Sequence, residues 1–123
     1  MTLEEFETLV GEALDSLPEK FGKKLNNVSV VVNVWPTRHH LIAGKVQPGM
    51  TLFGLYEGVP QTRRIQYAGV LPDKITIFAG PIVNAVGADT ASVRHQVKKT
   101  VLHEIGHHFG MSEEEIRKAQ ESS

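Results

Sequence analysis

The sequence predicts an α+β fold, with helices at both ends of the chain and a few short strands between them. Three observations carry this. At the amino end, Phe6, Leu9, Val10, Ala13, Leu14 and Leu17 recur at steps of three and four, the period of an amphipathic helix. Towards the other end, Val93, Val97, Val101 and Ile105 fall at strict four-residue steps, with Leu102 widening the stripe. In between, short runs rich in valine and isoleucine are cut off by glycine and proline, as strands are. A chain of 123 residues, 41% of them hydrophobic, suits one domain with a modest core, and no repeat or linker divides residues 1–123.

The elements follow in order. Thr2 stands as N-cap of the first helix, with Glu5 placed for a capping box. Pro18 ends this helix or opens a short second one over residues 21–25. Residues 28–35 form a strand that stops at Pro36, and the run Val30-Val31-Val32 predicts burial on both faces. Residues 37–49 are polar, briefly apolar at Leu41 and Ile42, then rich in turn formers, and give no element. Residues 52–56 read as a second strand closed by Gly58 and Pro60, and residues 61–67 as an exposed connection. Pro72-Asp73 reads as a turn, residues 74–79 as a third strand, and residues 81–89 as a loop entered through Gly80-Pro81. The long helix runs from Thr90 to about Phe109, and Gly110 supplies the left-handed residue that closes it. Ser112 and Glu115 then form an S-x-x-E capping box for a last helix.

Composition removes several classes of function. The formal net charge of -1 gives no global pull towards nucleic acid or an anionic membrane. The absence of cysteine excludes disulfides and thiolate metal sites. No apolar run approaches the ~18 residues of a membrane span. The glutamate-rich first residues do not resemble a secretory leader, and a cytoplasmic location is expected.

The chemistry concentrates in His103-Glu104-Ile105-Gly106-His107. Histidines four apart on a helix share a face, about 6 Å apart along the axis, and two such imidazoles can hold one zinc ion. Glu104, next to the first histidine, is placed to act as general base on a zinc-activated water. A catalytic zinc wants a third protein ligand and an open position. Gly110 turns the chain back, so Glu113, Glu114 and Glu115 are the candidates. Glu115 is taken by the capping box, Glu113 is the first choice and Glu114 the fallback. The apolar stripe at Val101 and Ile105 predicts a half-buried site. His108 lies about 140° around the helix from His103 and is expected to pack or hydrogen-bond instead of ligating. His39, His40 and His95 are expected at the surface.

The span H-E-I-G-H-H-F-G-M-S-E at residues 103–113 resembles the zincin metallopeptidases, and within them the extended pattern H-E-x-x-H-x-x-G-x-x-(H/D), with Glu113 at the last position. The chain as a whole resembles the small bacterial zincin-like metallopeptidases. L-F-G-L-Y-E-G-V-P at residues 52–60, L-P-D-K-I-T-I-F at 71–78 and V-K-K-T-V-L-H-E-I-G-H-H-F-G at 97–110 carry that likeness. The resemblance implies a small α/β sandwich with a mixed sheet beside the active-site helix. It also implies His103, His107 and Glu113 as zinc ligands, Glu104 as the catalytic glutamate, and a peptide or protein as substrate. In zincins an edge strand pairs with extended substrate, and residues 74–79 are the candidate here. Tyr56, Tyr67 and His108 are candidates to donate to the oxyanion.

Two rival readings remain. No methionine follows Glu113 to make a methionine turn, so the metal could instead serve a non-catalytic, zinc-stabilised binding module. A metal-dependent endoribonuclease would use Arg63, Arg64, Arg94, Lys98 and Lys99 as a basic patch, and the glutamate after the first histidine speaks against it.

Overall fold

A computed structural model describes residues 1–59 and 72–121 of the chain. Among these lie six helices and a three-stranded mixed sheet, an α+β architecture as the sequence predicts. The helices are α1 (Leu3–Asp15), α2 (Glu19–Lys24), α3 (Arg38–Ala43), α4 (Ala79–Val86), α5 (Thr90–His108) and α6 (Glu113–Glu121). The strands are β1 (Val28–Asn33), β2 (Gly54–Glu57) and β3 (Asp73–Phe78), in the order β1-β3-β2. Among the described residues, no helix is long and apolar enough to cross a membrane.

The two amphipathic helices make the core. Thr2 caps α1 by accepting from the Glu5 N–H at 3.1 Å. Phe6, Leu9, Val10 and Ala13 are buried against the stripe Val93, Val97, Val101 and Ile105 of α5, each of the four fully removed from water. Burying side chains of this size stabilises by roughly 1.5–3 kcal/mol each, which is why the strict four-residue spacing sets the helix so firmly.

β3 is the central strand, parallel to β1 and antiparallel to β2. Ile75 and Ile77 point into the core, while Thr76 and Phe78 are buried on the opposite face, where the His40 ring packs edge-on to Phe78 at 4.9 Å. This corrects the expectation that residues 74–79 form the edge available to substrate: both sides of that strand are already paired. The edges among the described residues are β1 and β2. Its edge position also leaves every residue of β1 partly exposed, contrary to the burial that its valines predicted.

Four further expectations shift. Only residues 87–89 of the loop expected over 81–89 are non-helical. Ala79–Val86 is helical, and Pro81 is tolerated because first-turn N–H groups have no partner within the helix. Asp73 belongs to β3 instead of a turn. The unassigned stretch after Pro36 holds α3, capped by Thr37, whose hydroxyl accepts from the His40 N–H while the His40 ring accepts from the Thr37 N–H. His40 is therefore buried, not a surface residue; His39 and His95 are exposed as expected. The predicted connection at residues 61–67 lies outside the described residues.

Candidate metal centre

The site begins with the way α5 ends. The Gly110 N–H bonds the His107 carbonyl and the Met111 N–H the Gly106 carbonyl, the paired bonds of a helix stop with a left-handed glycine, here at φ 70°. Ser112 then starts α6. Its hydroxyl accepts from the Glu115 N–H and the Glu115 carboxylate accepts from the Ser112 N–H, both at 3.1 Å. The predicted capping box is present, and the Ser112 backbone N–H and then its hydroxyl hold the Glu115 carboxyl below the usual carboxylate range. Glu114 pairs with Lys118 at 3.6 Å. Glu113 turns back towards α5, with Oε1 at 2.9 Å from Nε2 of His107.

His103, His107 and Glu113 form the group whose ligand atoms all lie within 4.8 Å of one another. The two imidazole centroids are 4.3 Å apart and tilted by 37°. Two neutral nitrogens and a carboxylate are a donor set that suits zinc. Among the described residues no other such group is present.

The close packing of α6 has a cause that the sequence analysis missed. A Cβ on Gly106 would sit 2.5 Å from Cγ1 of Ile116, so the glycine inside the motif is a notch that receives α6. A glycine in mid-helix costs about 1 kcal/mol relative to alanine, which was the available signal that it serves packing.

The site is more open than expected. His107 and Glu113 expose about half and three-quarters of their side chains, and His103 also faces solvent. The reason is angular. Two residues along a helix turn through about 200°, so His103 lies opposite the stripe of Val101 and Ile105, not beside it. Glu104, one residue on, borders the stripe and is half-buried.

Glu104 is held by the sheet. Its Oε1 accepts the Tyr56 backbone N–H at 3.0 Å. Phe53 and Phe78 form a hydrogen-bonded pair, so Tyr56, three residues on in the antiparallel ladder, turns its N–H away from β3 and towards α5. Burial pushes the Glu104 carboxyl up, opposed by the Tyr56 bond and by nearby His103 and His107. Of the three candidate oxyanion donors, Tyr56 gives its phenol to Asp73 at 2.7 Å, and Tyr67 lies outside the described residues. His108 packs, as expected, in parallel on the Tyr56 ring with centroids 3.9 Å apart.

Of the residues proposed for a basic patch, Arg94, Lys98 and Lys99 lie on α5. Arg94 pairs with Glu12 at 3.0 Å and Lys98 bonds the Ser16 carbonyl at 3.3 Å, while Arg63 and Arg64 lie outside the described residues.

Helix, mixed sheet and imidazole–carboxylate cluster together define a small α+β protein in which a helix beside a sheet edge carries a His/His/Glu group that could hold a metal ion. The family model described as zincin-like metallopeptidase matches residues 25–122, and the chain belongs to that family. A solved structure, a conserved hypothetical protein from Thermo thermophilus, is similar at 25% identity and a TM-score of 0.56, covering 89% of this chain and 94% of its own. No curated protein matches the sequence.

Proposed function

We propose that this protein is a zinc-dependent peptidase in which Glu104 is the general base. The observation that carries the reading is the convergence of His103, His107 and Glu113 within 4.8 Å, one residue from a half-buried glutamate. Zinc held by these three side chains supplies the Lewis acidity that makes water a nucleophile near neutral pH. A zinc held by three protein ligands would keep a position for water or substrate, as catalytic sites do, and His103, His107 and Glu113 would supply those three.

The chain's own contribution is a placed base. Oε1 of Glu104 is committed to the Tyr56 amide, so Oε2 is the oxygen that takes the proton of the attacking water and passes it to the leaving amine. Burial raises the carboxyl's pKa and makes it a stronger base. A groove of about 520 Å³ adjoins it, walled by residues 50–54 and by Gln96, Lys99, Thr100, His103 and Glu104 of α5. Leu52 and Phe53 give that wall apolar surface for an extended peptide or protein segment, and β2 is the strand beside it.

The test is zinc content of the purified protein and of Glu104→Gln, with hydrolysis of a quenched peptide library measured on both. One zinc in each and cleavage by the parent alone supports the reading. Zinc in both and cleavage by neither moves the protein to the non-catalytic binding module. No zinc in the parent removes the reading.

A further inference from the structure

Asp73 opens β3 and stands between the end of β2 and the last turn of α5. Its Oδ2 accepts the Tyr56 phenol at 2.7 Å and its Oδ1 accepts the Val59 N–H at 2.8 Å. Nε2 of His108 lies 3.9 Å from the same Oδ2, and its ring stacks on Tyr56. One carboxylate thus fixes the side chain of Tyr56 and the chain just beyond Glu57, while the main chain of Tyr56 holds Glu104 at 3.0 Å.

We infer that Asp73 is a positioning residue for Glu104, acting through Tyr56. This rests on the peptidase reading above. β2 has four residues and lies at the sheet edge among the described residues, and short edge elements open most readily. The Tyr56 amide falls near the end of that ladder, where fraying would withdraw it from Glu104. An O–H donating to a carboxylate is among the stronger hydrogen bonds, and the Asp73 side chain is only 13% exposed, so the clamp works where solvent competes least. Without the amide, the Glu104 carboxylate is free to rotate towards solvent. A misplacement of about 1 Å costs roughly 100-fold in rate. Asp73 is not in the ligand group, so metal affinity is independent of the clamp.

The experiment uses the full chain with Asp73→Asn and Tyr56→Phe. The first leaves one acceptor oxygen for two donors. The second keeps the ring and its stacking and removes only the hydroxyl, so it tests the clamp even if the first folds poorly. Hydrogen exchange of the Tyr56 amide is followed by NMR in metal-free protein, with Glu104→Ala setting the rate of an unheld amide. Zinc affinity is measured by chelator competition, and kcat and KM on any peptide the parent cleaves. The expected result is exchange at least about 10-fold faster, kcat about 10- to 100-fold lower, and KM and zinc affinity within about threefold of the parent. Unchanged exchange in both variants overturns the inference, as does a fall in zinc affinity that matches the fall in kcat. If the parent cleaves nothing, the exchange arm still decides whether Asp73 holds the amide on Glu104, and the peptidase reading fails separately.

Discussion

The two walls of the candidate site are built in opposite ways. The metal wall is local: His107 and Glu113 are six residues apart and are joined by a helix, a glycine stop and a capping box. The sheet wall is remote: the amide that holds Glu104 comes from Tyr56, 48 residues away, and depends on Asp73 of a further strand. The metal wall therefore follows from short-range rules, whereas the sheet wall requires the whole fold to be in place.

The largest effect that separates the walls is expected from Glu104→Gln. General-base catalysis contributes about 10²- to 10⁴-fold, so peptide hydrolysis should fall by at least about 100-fold while zinc binding persists. Stability should move the other way. Glutamine keeps an oxygen for the Tyr56 N–H and loses the buried charge, so the metal-free variant should unfold later in urea, by up to about 1 kcal/mol after allowance for solvent screening. The sign is that of a carboxyl whose folded pKa is raised. The cost of the charge is full above the folded pKa, and the gap between variant and parent closes as pH falls through that value towards the unfolded one. A gap that widens on acidification would show that the site does not strain Glu104.

Removing a ligand should break the metal wall alone. His107→Ala is expected to weaken zinc binding by more than about 100-fold, because loss of groups that merely support a ligand already costs 10- to 100-fold. Its Tyr56 amide should remain protected from exchange. Chelator competition and NMR on the same sample check both halves.

Gly106→Ala tests the notch. The new methyl must displace Ile116, which should destabilise by about 1–3 kcal/mol, partly offset by the better helix propensity of alanine. Zinc affinity should fall with it, since Glu113 is carried on the helix that is pushed away. Unchanged thermal unfolding and zinc affinity would mean that α6 docks without the notch.

The smallest effect belongs to the start of α6. Ser112→Ala should cost about 1 kcal/mol, read by urea unfolding. The Asp89 and Glu115 carboxyls are both lowered by the caps they make. Their contributions are present above the unfolded pKa values and disappear as pH falls through the folded ones. The first turns of α5 and α6 should therefore lose amide protection in acid before the middle of α5 does.

Elements that obey a local period or cap were legible in the amino-acid order alone. The valine stripe of α5, the Gly110 stop, the Ser112–Glu115 box and the H-E-x-x-H spacing are each contained within a few turns of chain, and each is where it was expected. Glu113 was chosen over Glu114 for its place three residues past the Gly110 stop, and it is the glutamate that lies 2.9 Å from His107. Strand order was not legible, because a run such as Lys74-Ile75-Thr76-Ile77-Phe78 satisfies both an edge and a centre until its partners are known. Nor was the tie from Tyr56 to Glu104, since any main-chain amide could serve and residue identity carries no mark of it. Folding in three dimensions decided these, because they are contacts between segments far apart in the chain, chosen by which buried faces pack together.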